Sequence, residues 1–150
     1  MVVDQSYHKV IKYFLSIFIL ILFSSKSFSE IYKFEKLATL NKPWGSSFIS
    51  NDELIITEKN GKIKVVNIST KQVSEIKHNL NFLVHGQGGL LDIISQKNDL
   101  WISYSEDRGN GQSSTSIATA KLDNYNLNFK NIFQANPPID SGYHFGSRLA

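Results

Sequence analysis

Asp52-Glu53-Leu54-Ile55-Ile56 has a counterpart 46 residues downstream in Asn98-Asp99-Leu100-Trp101-Ile102, and that repeat decides how the chain is read. Around the first copy, residues 47–50, 54–57, 63–68 and 73–76 are short segments whose apolar side chains recur with a period near two, the mark of half-buried strands. Asn51-Asp52, Asn60-Gly61 and Ser69-Thr70-Lys71 part them, and Asn60-Gly61 reads as a two-residue type I′ hairpin turn. Around the second copy the same grammar gives strands over residues 90–95, 100–105, 115–122 and 127–133. These are divided by residues 96–99, a long polar loop over 106–114 taken as a flexible connection, and residues 123–126. Four-stranded antiparallel units recurring at about 45–50 residues signal a β-propeller. A third unit is expected to begin at Arg148-Leu149-Ala150, so the chain reads as about two blades plus the start of a third. An eight-stranded β-sandwich is the rival all-β architecture; the meander order without crossovers weighs against it.

Residues 1–29 stand apart from this pattern. His8, Lys9 and Lys12 precede the apolar run 13–23, which gives way to Ser24-Ser25-Lys26-Ser27-Phe28-Ser29. A basic start, a short apolar core and small residues at 27 and 29 form a secretory signal with cleavage expected between Ser29 and Glu30. The apolar core is shorter than the roughly 20 residues a membrane-spanning helix needs, so no stable anchor is expected after cleavage. The mature part, residues 30–150, is then expected in the periplasm or outside the cell. It holds thirteen of the sixteen basic and twelve of the thirteen acidic residues, a net of +1, which offers no electrostatic footprint for nucleic acid. The chain has no cysteine, which removes disulfides, thiolate metal sites and thiol nucleophiles.

Two stretches carry the candidate chemistry. In Val84-His85-Gly86-Gln87-Gly88-Gly89-Leu90-Leu91-Asp92-Ile93 a glycine cluster runs into an apolar strand and presents Gln87, which offers an amide donor and an acceptor. A strand follows where a dinucleotide fingerprint would need a helix, which excludes that motif. The second stretch is Tyr143-His144-Phe145-Gly146-Ser147-Arg148-Leu149. His78 and His85 lack metal-ligand spacing and read as surface residues, and Trp44 and Trp101 read as core or blade-packing residues. Arg148 is expected to pair with an acidic group inside a blade.

Taken in order, Lys42-Pro43-Trp44-Gly45, Leu54-Ile55-Ile56-Thr57-Glu58-Lys59-Asn60-Gly61-Lys62-Ile63, Gly86-Gln87-Gly88-Gly89-Leu90-Leu91-Asp92, Trp101-Ile102-Ser103-Tyr104-Ser105 and His144-Phe145-Gly146-Ser147-Arg148-Leu149 resemble the glucose/sorbosone dehydrogenases, soluble pyrroloquinoline-quinone (PQQ) dependent sugar dehydrogenases. The nearest branch is the aldose sugar dehydrogenases. The resemblance implies a six-bladed propeller of which this chain carries the amino-terminal portion. It implies oxidation of the anomeric hydroxyl of an aldose by hydride transfer to PQQ, with His144 as general base and Gln87 touching substrate and cofactor. Both are expected at the start of an inner strand. Calcium ligands and most PQQ contacts are expected downstream of residue 150, so the fragment alone is expected to be inactive. Glucose-oxidising members carry an acidic residue before the histidine; Tyr143 stands there instead, which points to a broader aldose preference. A secreted, non-enzymatic binding propeller and an inactive truncated product are the competing readings.

Overall fold

Strand formation follows the alternating pattern, and the computed structural model describes residues 5–22, 32–123, 126–146 and 148–150. Two compact units separate at residue 35: Met1–Glu35 and Lys36–Ala150. The first contains helix α1 (Gln5–Leu22), built on the basic and then apolar N-terminal run. No helix among the described residues is long and apolar enough to cross a membrane. The expected cleavage point at Ser29 lies outside the described residues.

The second unit is two antiparallel meanders. The first runs β1 (Pro43–Phe48), β2 (Glu53–Glu58), β3 (Lys62–Asn67) and β4 (Val73–His78), neighbours in space as in sequence. The second contains β5 (Leu90–Gln96), β6 (Asp99–Asp107) and β7 (Ser113–Lys121), with β8 (Asn126–Leu127) and β9 (Lys130–Gln134) following. The second sheet orders β5-β6-β7-β9. β2 starts at residue 53 and β6 at residue 99, which reproduces the 46-residue spacing of the sequence repeat. The fold is all-β and of the β-propeller family, in two successive blades.

Five details differ from the expectations. Glu58 pairs with Lys62, so the β2–β3 loop is the three residues Lys59-Asn60-Gly61 and not a two-residue type I′ turn. Gly61 donates to the Glu58 carbonyl (2.9 Å) and alone takes a positive φ of 99°, the arrangement of a type I turn followed by a glycine. The loop expected over 106–114 is shorter: Glu106 pairs with Ser114 and Asp107 with Ser113, so the strands extend into it and only residues 108–112 turn. Its polar residues hid the pattern because they find polar partners, Arg108 donating to Ser114 Oγ (2.9 Å) and Glu106 accepting from Ser116 (2.6 Å) and Asn131 (2.9 Å) on neighbouring strands. The last expected strand is split. Leu127 and Phe129 turn into the core at 1% and 6% exposure, and β8 leaves the second sheet to pair in parallel with β4 of the first. Asn79 seals that crossing, accepting from Phe129 N (2.7 Å) and donating to its carbonyl (3.1 Å). Trp44, expected in packing, is 47% exposed on β1. His78 also departs from expectation, half-buried against Phe82 with a ring nitrogen 2.7 Å from the Gly61 carbonyl.

The core lies between the two sheets. Ile55, Ile63, Val65 and Ile76 of the first face Leu90, Ile93, Leu100, Ile102 and Ala118 of the second. Tyr104 joins them, and burial followed by the nearby Glu106 carboxylate pushes its phenol up to about 12 while its hydroxyl donates to Asn131 (2.6 Å). One polar group crosses this interface. The Thr57 hydroxyl, fully buried, accepts from Gly45 N (2.9 Å) on β1 and donates to the Leu91 carbonyl on β5. It thereby ties both inner strands to one side chain. Thr57→Val keeps the shape but strands a buried amide and a buried carbonyl; the intact protein is expected to lose about 1–3 kcal/mol, read from its urea unfolding midpoint.

Candidate active site

Strand β5 must enter the core immediately after Gly89, because Leu90 is fully buried, so the residues before it are forced into a turn at the rim. Gly88 N donates to the His85 carbonyl (2.7 Å), closing that turn and leaving Gln87 exposed at its tip. Ser105 on β6 fixes both limbs: its hydroxyl accepts from Gly89 N (2.6 Å) and donates to the Leu83 carbonyl (2.6 Å).

The His144 segment docks on this turn by its backbone. Gln87 N donates to the Gly142 carbonyl (2.6 Å), and His144 N donates to Gln87 Oε1 (3.2 Å). Gly86 and Gly142 lie so close that a side chain on Gly86 would sit 2.3 Å from the Gly142 oxygen. His144 holds a φ of +64°, a left-handed conformation that costs a non-glycine residue about 1–3 kcal/mol and persists where neighbours enforce it. Here Phe145 enforces it from the next position. Its ring is buried, and its carbonyl accepts from Thr115 Oγ1 (2.6 Å). Among the described residues no hydrogen-bond partner reaches the His144 ring, which is exposed beside Tyr143 (centroids 6.4 Å apart). The structure therefore brings Gln87 and His144 together. Gln87 lies in the turn before an inner strand, whereas no strand follows His144 among the described residues.

Beyond them the chain returns to the second blade. Leu149 N donates to Asp92 Oδ2 (2.9 Å), and the exposed Arg148 approaches the same oxygen at 3.9 Å, the acidic partner expected for it. Ser105, Thr115 and Gly142 were not singled out as site residues. Their only trace is small or hydroxyl side chains at strand and turn positions that pattern reading assigns to packing. No cluster of three metal-ligating side chains exists among the described residues.

Residues 40–150 match the sequence model of the Glucose / Sorbosone dehydrogenase family. The aldose sugar dehydrogenase YliI of Escherichia coli (strain K12) is 29% identical over 119 residues, covering 73% of this chain and 32% of that protein. The apo crystal structure of the soluble aldose sugar dehydrogenase from Escherichia coli superposes with a TM-score of 0.68 at 29% identity, covering 74% of this chain and 35% of the other. The PQQ-bound aldose sugar dehydrogenase of Streptomyces coelicolor shares the fold, with a TM-score of 0.58 at 20% identity over 66% of this chain and 32% of the other. The chain spans about a third of the length of these relatives.

A methyl group on Gly86 has no room against the Gly142 backbone. Gly86→Ala is therefore expected to push residues 140–146 off the turn, and amide hydrogen exchange at Gln87 should quicken at least about tenfold as its bond to Gly142 opens.

Proposed function

The chain belongs to the glucose/sorbosone dehydrogenase family, and on that footing we propose that it forms the amino-terminal part of a quinoprotein that oxidises aldoses at the anomeric carbon. The observation that carries this reading is the bond from His144 N to Gln87 Oε1, which joins two motifs 57 positions apart into one exposed polar site.

The roles follow from what each group has left to offer. The backbone of His144 is spent on Gln87 and the neighbouring Phe145 carbonyl on Thr115, so the imidazole projects from a fixed base. An imidazole ring nitrogen is a suitable base near neutral pH. It takes the proton of the C1 hydroxyl as the C1 hydride departs, and the aldose becomes a lactone. Gln87 uses Oε1 to hold His144, which leaves its Nε2 to donate to a sugar oxygen or a quinone oxygen. PQQ, when bound, supplies the two-electron acceptor that receives the hydride. The exposed amide of Gln87 suits the edge of an acid-bearing quinone. Calcium is assigned to none of the described residues. Tyr143 offers an exposed aromatic face and no charge beside His144, in keeping with a broad aldose preference. The basic and apolar start of the chain supports export to the periplasm.

In the intact protein supplied with PQQ and calcium, aldoses are expected to drive reduction of an artificial electron acceptor. His144→Ala should lower that turnover by about 10²–10⁴. Undiminished turnover in the variant would remove His144 as the base, and a parent protein that binds aldose without turnover would point to a binding module.

A further inference from the structure

The peptide unit joining Gly86 to Gln87 is held from both sides. Its N–H donates to the Gly142 carbonyl (2.6 Å), on the segment that carries His144. Its carbonyl accepts from the ammonium of Lys59, which comes from the β2–β3 hairpin of the first blade. Lys59 also grips the far end of the same turn. Its own carbonyl accepts from Leu90 N (3.3 Å), and Gly89 packs so tightly on that carbonyl that a Cβ there would stand 2.0 Å from the oxygen. Lys59 N in turn donates to the Lys42 carbonyl (3.0 Å), which ties the hairpin to the residue preceding β1. One half-buried residue of the first blade thus spans the turn from Gly86 to Leu90.

We propose that Lys59 is a positioning residue for the site, with its ammonium fixing the plane of the Gly86–Gln87 peptide and so the direction from which Gln87 meets substrate and His144. A peptide carbonyl that accepts from a cation is polarised, which makes the N–H of the same unit a stronger donor. The bond to the Lys59 ammonium therefore strengthens the bond from Gln87 N to Gly142, and with it the docking of the His144 segment. The backbone carbonyl of Lys59 would anchor Leu90 whatever the side chain, so the ammonium adds something the strand does not require for its own formation. The proposal rests on the aldose-oxidation reading for its catalytic consequence, but not for the clasp itself.

The test uses Lys59→Met, which keeps length and removes the charge, and Lys59→Arg, which restores it, in the intact protein. Amide exchange needs neither sugar nor cofactor. In Lys59→Met the Gln87 amide should exchange at least about tenfold faster while the Leu90 amide, bonded to the Lys59 backbone, keeps its rate; Lys59→Arg should restore most of the protection. In aldose oxidation Lys59→Met should lower kcat about 10- to 100-fold, as misplacement of a site group by about 1 Å does, with partial rescue by Lys59→Arg. Unchanged Gln87 exchange in Lys59→Met overturns the proposal, as does equal loss of protection at Gln87 and Leu90, which would mark a general loosening. The altered Gln87 exchange in a protein whose parent oxidises no aldose would uphold the clasp and defeat the dehydrogenase reading instead.

Discussion

Burial of the two facing sheet surfaces is the constraint on which the rest depends. Ile55, Ile63, Val65 and Ile76 pack with Leu90, Ile93, Leu100, Ile102 and Ala118 in one buried apolar cluster. At about 25 cal/mol per Å² of apolar surface, packing of this kind outweighs any single hydrogen bond at the rim. Once these faces close, β1 and β5 lie side by side and Thr57 links their backbones. The loops at one end of each blade are then brought together. Lys59 and Gln87 meet there because the strands that anchor their loops cannot slide without moving side chains to the wrong face, and Gly142 docks on Gln87 through its carbonyl.

The site therefore has an unequal construction. What positions it is almost all backbone and small side chains: the Gly86–Gln87 peptide, the Gly142 carbonyl, the hydroxyls of Ser105 and Thr115. What remains exposed is the pair with chemistry to offer, the amide of Gln87 and the ring of His144. The left-handed conformation of His144 belongs with this division. Buried Phe145 takes the packing on one side and Gln87 takes the amide, so the imidazole stays free of structural duty.

Much of this was legible in the sequence, and the failures have physical causes. The eight-strand rhythm was readable because Leu54–Ile56 and Leu100–Ile102 alternate against solvent or against a second apolar layer. The ends of the stretch 106–114 read as loop because their polar side chains find partners, Glu106 accepting from Ser116 and Ser114 from Arg108, which removes the apolar signature of a strand. The split between β8 and β9 was invisible because Leu127, Phe129 and Phe133 look like one alternating run, although the first two serve the interface between blades. Asn60-Gly61 marked the hairpin correctly but not its length, which depends on Glu58 pairing with Lys62. Motif and resemblance point to Gln87 and His144 as candidates. Their mutual contact was not legible, because it runs through a backbone amide, and no residue pattern encodes which carbonyl that amide will find.

The claim at the centre is that Gln87 and His144 act on one sugar. A crystal structure of the intact protein with an aldose bound tests it most directly. The account predicts a ring nitrogen of His144 within hydrogen-bonding distance of the anomeric hydroxyl and the side-chain amide of Gln87 in contact with the same sugar or with the quinone beside it. An aldose bound elsewhere on the protein, with these two side chains facing empty solvent, would contradict it.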